Sequence, residues 1–198
     1  FYGYAHLPAR RANQRLIDES ALPGPEARLA QAETIARCLS EGGFERIGID
    51  HFAKHDDPLA VAARQGRLRR NFQGYTDDPN DVLLGVGPSA ISKLPDGFAQ
   101  NASDIAHWRA DVAAGKLATR RGHAFSGDDR NRARVIERLM CAFAAELEEA
   151  QGRFADELAL LRPFVKEGMI ELERGHLKLT EKGRPFVRLV AAVFDRFR

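Results

Sequence analysis

Between residues 50 and 57 the chain reads Asp-His-Phe-Ala-Lys-His-Asp-Asp, the densest cluster of proton-transfer and metal-ligating groups in its 198 residues. His51 and His55, with Asp50, Asp56 and Asp57, are the residue types that could hold a metal ion. The same aspartates stand directly ahead of Pro58, where Asp is equally at home as a helix N-cap. The set also lacks the fixed helical frame that makes an H-E-x-x-H site specific. A second candidate is Gly85-Val86-Gly87-Pro88-Ser89, a glycine loop that could admit a ligand or simply allow close backbone packing. Pro88 removes one of the amide donors an anion nest would use. A third is the run Arg64, Arg67, Arg69 and Arg70 beside Phe72 and Tyr75. Guanidinium forks match planar carboxylates and phosphates, although such runs also serve as solvated faces. No Ser/His/Asp elbow and no P-loop occurs in the sequence.

The elements that must carry these groups follow from periodicity and punctuation. Pro25 opens a helix with Leu29, Ala32, Ala36 and Leu39 at helical spacing, and Gly42-Gly43 ends it. A strand over Phe44–Asp50 then delivers the His/Asp cluster at its C-terminal end, where α/β folds keep their chemistry. A short helix runs from Pro58 to Gly66, and residues 67–81 read as a loop. An apolar stretch from Val82 to Ser92 carries the glycine loop. Residues 102–115 form an amphipathic helix with Ile105, Trp108 and Val112 inward. This helix–strand–helix rhythm belongs to an α/β sheet or barrel.

From Ser126 the chain becomes helix-rich. Ser126 with Asp129 resembles a capping box, and Ile136, Met140, Phe143 and Leu147 share a face beyond it. A helix over 156–167 ends at Gly168. A hairpin turning at Arg174-Gly175 follows, then a last helix from Pro185 with Phe186, Leu189, Val190, Val193 and Phe197 inward. Helix, hairpin and helix make a winged-helix pattern, a fold often used to read DNA. Its would-be recognition helix contains Pro163 and mixed charges. Residues 151–198 carry ten Lys/Arg against seven Asp/Glu, too slight an excess for counterion-driven binding. A cover or docking role suits the module better than nucleic-acid binding.

Composition bounds the rest. With 30 Lys+Arg against 28 Asp+Glu and 44% apolar residues, the chain is neither disordered nor charged enough to argue for nucleic acid or an acidic membrane surface. No run approaches the length of a membrane span, and no signal-peptide layout is present. Cys38 and Cys141 are too few for a disulfide framework or a cysteine-held cluster, so a cytoplasmic location is expected. Buried and inert is the expectation for Cys141. The chain opens Phe1-Tyr2-Gly3 without an initiator Met, and is expected to be a piece of a longer protein.

Several motifs recur together in one known family. These are Tyr4-Ala5-His6-Leu7-Pro8, Gln14-Arg15, Ile47-Gly48-Ile49-Asp50-His51-Phe52-Ala53, and Asp56-Asp57-x-Leu59-Ala60. Arg70-Asn71-Phe72-Gln73-Gly74-Tyr75-Thr76 follows, then Asp81-x-Leu83-Leu84-Gly85-x-Gly87-x-Ser89-Ala90-Ile91-Ser92 and Thr180-x-Lys182-Gly183-Arg184. In this order they resemble the C-terminal portion of the oxygen-independent coproporphyrinogen III oxidases, radical S-adenosylmethionine (SAM) enzymes. The resemblance implies an α/β fold. Residues 1–125 would form the late strands and helices of a partial radical-SAM barrel, and 126–198 a mostly helical, winged-helix-like domain.

The implied reaction is oxidative decarboxylation of two propionates of coproporphyrinogen III to vinyls, giving protoporphyrinogen IX in haem synthesis. It would use SAM and a four-iron–four-sulfur cluster. By motif, Ala5 and Ile91 would contact the SAM that ligates the cluster, and Phe72 and Gln73 a second SAM. The arginines around 64–70 and at 120–121 would suit the substrate's propionates. The family's C-x-x-x-C-x-x-C loop is absent, so the chain alone is expected to bind no cluster and to be inactive without the missing N-terminal barrel half. A half barrel would also leave apolar surface and sheet edges uncovered. The alternatives are a fragment of the related radical-SAM-like haem chaperones, which the H-F-A-x-x-D-D and N-F-Q-G-Y-T blocks argue against, and a winged-helix nucleic-acid module.

Overall fold

The computed structural model describes residues 3–147 and 153–197. Leu147 is the last described residue before the gap and is buried, whereas Phe1 and Tyr2 of the opening lie outside the described residues. Residues 3–7 form no strand. They lead into two short 3-10 turns and helix α1 (Pro25–Glu41), which starts with Pro25 in its first turn and stops at Gly42 and Gly43.

Every ladder among the described residues is antiparallel. The expected single strand from Phe44 to Asp50 is instead the first arm of a hairpin. Strand β1 (Phe44–Ile47) pairs with β2 (His51–Lys54), with Ile47 opposite His51. Gly48 makes that reversal, with φ +57° and no room for a Cβ beside the Tyr75 ring. Helix α2 (Pro58–Arg64) follows, and residues 67–81, expected as loop, contain a small hairpin of β3 (Arg69–Arg70) and β4 (Tyr75–Thr76). Strands β5 (Ile91–Leu94), β6 (Gly97–Asn101) and β7 (Thr119–Ala124) form a three-stranded meander, with helix α3 (Ile105–Ala113) between the last two.

The C-terminal part is built from contiguous sequence. Helix α4 (Asp129–Ala142) leads into β8 (Ala144–Glu146). Helix α5 (Ala155–Lys166) precedes β9 (Ile170–Glu173) and β10 (His176–Leu179), and a 3-10 turn then opens helix α6 (Val187–Ala192). The sheet order is β8-β10-β9, and the β9–β10 turn falls at Arg174 and Gly175, both with positive φ as a two-residue hairpin turn requires. The larger core lies here, where Leu139, Leu161, Leu177, Val187, Val190 and Phe194 are completely buried. Helix α6 is rotated from the expected face: Val187, Ala191 and Phe194 join Val190 and Val193 inside. Leu189 and Phe197 face outward at 58% and 70% exposure, and Phe186 is borderline. The 3-10 turn over Arg184–Phe186 shifts the helical register enough to cause this.

The T-x-K-G motif closes this unit. Thr180 Oγ1 donates to Gly168 O at 2.8 Å and accepts from the Gly183 amide at 3.2 Å, while Lys182 Nζ donates to Glu167 O at 2.7 Å. These bonds satisfy carbonyls left over at the end of α5. Gly183 sits so close to the Met169 carbonyl that no Cβ fits.

The smaller core gathers Ile47, Ala53, Ala60, Leu68, Tyr75 and Cys141. Helices α1 and α3 contribute no buried residue, and Leu29, Ile35, Ile105 and Val112 stand at least 40% exposed. Trp108 is half-buried rather than core. Leu84, Val86 and Leu117 are also largely exposed. The apolar stripes predicted for these helices exist in the sequence, but they are only partly covered: α1 meets β1, leaving Ala32, Ala36 and Leu39 half-buried and Leu29 and Ile35 exposed.

Candidate functional site

The His/Asp cluster does not assemble into a metal site. Asp57 caps α2, its Oδ1 accepting from the Leu59 amide at 2.8 Å. His55 pairs with Glu45, which also binds Arg64 at 2.6 Å. This guanidinium bond holds the Glu45 carboxyl below the usual carboxylate range. His51 faces the other way, with Nδ1 2.8 Å from Asp50 Oδ1 and its ring edge-to-face with Tyr75 at 5.0 Å. No group of three potential metal-ligating side chains occurs among the described residues. Cys38 is exposed on α1 and Cys141 is buried, so these residues do not fit an iron–sulfur cluster, which needs several converging thiolates.

The glycine loop is chiefly a packing device at its first position. A Cβ on Gly85 would stand 2.8 Å from the Ile91 backbone, and Ser92 Oγ receives the Gly85 amide at 3.0 Å. Asn101 Nδ2 ties down both Gly85 O and Gly87 O. Gly87, at φ +109°, faces open space.

The arginine run is anything but a uniform solvated face. Arg64 belongs to Glu45, and Arg69 bonds Asp81 at 2.7 Å with Glu137 at 3.6 Å. Arg70 stacks on Tyr75, 4.9 Å from the ring centroid, and its Nη1 is buried without a hydrogen-bond partner. Tyr75 itself pins three elements. Its hydroxyl donates to Met140 O at 2.9 Å and accepts from the Ile49 amide at 3.2 Å, and burial pushes its pKa up.

Arg69 and Arg70 open onto a cavity of about 1410 Å³ bounded by the β3–β4 hairpin, the β5–β7 sheet, α4 and the C-terminal segment. One wall is a continuous row of rings. Phe72 meets Phe98 edge-to-face at 5.1 Å, Phe98 meets Phe125 at 4.9 Å, and His123 meets Phe197 at 4.9 Å after touching Phe125 at 6.3 Å. The floor is fixed by buried Asp129, which accepts from the Ser126 amide at 2.9 Å and pairs with Arg196 at 3.1 Å. The Ser126 bond is the main reason its carboxyl stays below the usual range. The expected capping box does not form: Asp128 is the N-cap and makes no side-chain cap bond, while Ser126 gives both its amide and its hydroxyl to the Asp129 carboxylate, which also serves the C-terminal segment.

Of the four residues expected to touch SAM, Phe72 alone lines this cavity; Ala5, Gln73 and Ile91 do not. Phe72 is 53% exposed and Gln73 is exposed on the same turn, so a free ring face and a free-standing amide are both presented there. Ala5 is exposed in the N-terminal segment, where Gln14 Nε2 donates to its carbonyl at 3.0 Å, and Ile91 begins β5. Arg120 and Arg121 sit on β7 outside the cavity, tied to Asp111 and Gln100. The aromatic row escaped sequence reading because its members come from four separate segments. The one available signal was Phe72 beside the arginine run.

Residues 125–186 match the family described as the HemN C-terminal domain. The chain is 44% identical over 201 residues to the oxygen-independent coproporphyrinogen III oxidase of Bradyrhizobium diazoefficiens, covering 98% of this chain and 45% of that protein. It is 38% identical to the enzyme of the same name from Escherichia coli K12, covering 99% and 45%. The solved structure titled "Coproporphyrinogen III oxidase (HemN) from Escherichia coli is a Radical SAM enzyme" superposes with a TM-score of 0.89 at 38% identity, over 98% of this chain and 47% of that one. The chain thus spans about half the length of the curated relatives it matches. These matches do not favour the haem-chaperone or nucleic-acid readings. In sequence and in fold, the chain is similar to the C-terminal portion of proteins named oxygen-independent coproporphyrinogen III oxidase, one of which is described as a radical-SAM enzyme.

Proposed function

We propose that this chain supplies the C-terminal half of an enzyme that oxidatively decarboxylates two propionates of coproporphyrinogen III to vinyls in haem synthesis. The observation that carries the reading is the 0.89 TM-score superposition over nearly the whole chain on an enzyme of that name. SAM and a four-iron–four-sulfur cluster would supply the radical that takes hydrogen from each propionate. Because Cys38 and Cys141 do not fit a cluster, the contribution of this chain is binding, positioning and exclusion of water, and alone it is inactive. Phe72 offers a ring face for SAM to stack on and Gln73 an amide to bond it, with Ala5 and Ile91 as further contacts. We place the domain boundary near residue 125, between the end of β7 at Ala124 and the start of α4 at Asp129. Residues 126–198 are read as a winged-helix-like cover, supported by the β8-β10-β9 sheet flanked by helices. Among the described residues no helix is long and apolar enough to cross a membrane, and we assign the protein to the cytoplasm.

The test is a chimaera in which this chain replaces the matching C-terminal portion of the Escherichia coli enzyme. Anaerobic assay should show protoporphyrinogen formation, with Phe72→Ala weakening SAM binding. A chimaera that folds and carries its cluster yet leaves coproporphyrinogen III unchanged refutes the reading.

A further inference from the structure

The cavity behind the β3–β4 hairpin holds eight cationic side chains against five carboxylates, so its field is positive although the whole chain is nearly neutral. Most of those cations are committed. Arg69, Arg130, Arg132, Arg188 and Arg196 each have a carboxylate partner within 4 Å. Three are left over. Among the described residues, Arg70 keeps a buried Nη1 with no acceptor, the exposed Arg134 side chain on α4 has no partner, and the Lys93 side chain on β5 makes no hydrogen bond. A buried guanidinium nitrogen with no partner costs free energy unless an acceptor arrives from outside. Opposite these cations stands the apolar row from Phe72 to Phe197. Its volume exceeds the roughly 300–1,000 Å³ usual for drug-sized ligands, so the cavity suits a larger occupant.

Together these features ask for a wide, ring-containing molecule carrying several carboxylates around its edge. We infer that the cavity is the seat of the tetrapyrrole substrate, with Arg70, Arg134 and Lys93 receiving propionate carboxylates and the Phe72–Phe98–Phe125–His123–Phe197 row covering a pyrrole face. The inference rests on the coproporphyrinogen reading for its ligand, and on this chain's own side chains for its location. The same Phe72 that is proposed to face SAM then stands at the mouth of the cavity, which puts substrate and cofactor side by side.

Coproporphyrin III, the stable oxidised form with the same four carboxylates, can be titrated into this chain and followed by its Soret absorption and fluorescence. Saturable binding is expected. Arg70→Gln and Arg134→Gln should each weaken it about ten-fold or more, the usual scale for one charge-assisted hydrogen bond. Arg37→Gln, on α1 and paired only with Glu41, should leave binding unchanged. The tetramethyl ester, with the rings intact and the charges gone, should bind far more weakly. Arg134 is exposed, so its variant tests the site even if Arg70→Gln fails to fold. Binding indifferent to both substitutions, equal binding of the ester, or no saturable binding by the folded chain would each overturn the location. None of these outcomes touches the chimaera assay, which judges the enzymatic reading separately.

Discussion

Removing one oxygen from Tyr75 should loosen the junction between the two halves of the chain. Tyr75→Phe keeps the ring on which Arg70 stacks and His51 rests, and takes away only the hydroxyl. That hydroxyl serves the Met140 carbonyl at the end of α4, where helical carbonyls lack intrahelical partners, and the Ile49 amide in the β1–β2 turn. Tyr75 is 8% exposed, so water replaces neither bond readily. Two lost bonds with their partners left unsatisfied should cost about 2–4 kcal/mol. For a chain of this length that corresponds to a Tm lower by roughly 4–16 °C. Thermal melts followed by circular dichroism read it directly, with Tyr4→Phe, at an exposed tyrosine, as a control expected within about 0.5 kcal/mol of wild type. The pH dependence has a definite sign. Burial raises the Tyr75 pKa above its unfolded value of about 10, so the folded state resists ionisation. This stability is intact below pH 10 and is lost as pH climbs toward the folded value, and Tyr75→Phe should flatten that alkaline slope. A loss below about 0.5 kcal/mol with the slope unchanged would show that the hydroxyl does not join these elements.

Two further outcomes test the fold and its thiols. Gly183→Ala forces a Cβ into the Met169 carbonyl, so it should destabilise by about 1–3 kcal/mol or more, read as an earlier denaturation midpoint. An unchanged midpoint would mean the T-x-K-G turn is free to shift. With the Cys141 thiol pushed up to about 12 by burial, iodoacetamide at pH 8 should label Cys38 alone. Cys141 should react only after denaturation, and rapid double labelling of folded protein would contradict the small core.

Local chemistry was legible where it acts over a few residues. Asp57 caps α2, Ser126 bonds Asp129 at the start of α4 although not as a capping box, and Arg174-Gly175 turns the last hairpin, because each depends on near neighbours in sequence. Periodicity places Gly48 inside a strand, because the Tyr75 ring that leaves no room for a side chain there is distant in sequence. The faces of α1 and α3 read correctly as apolar, yet a pattern alone does not supply the surface to bury them against. The motifs point to the same relatives that the comparisons found. The cavity needed three dimensions, since its ring row and leftover cations are scattered along the chain.

The contiguous assembly of the larger core carries a consequence for the order of folding. Its buried residues lie between Val135 and Phe194, so its contacts close short loops, whereas the smaller core must bring Cys141 back to Ile47. Short loops close faster and at lower entropic cost. The C-terminal unit should therefore form first and present α4 as a ready surface on which the β1–β4 hairpins condense. Amide hydrogen exchange should then fall into two tiers, with slow protons in α4, β10 and α6 and faster ones in β1 to β4. Cys141, standing on α4 but buried among residues of the earlier segment, marks where the second tier is fastened to the first.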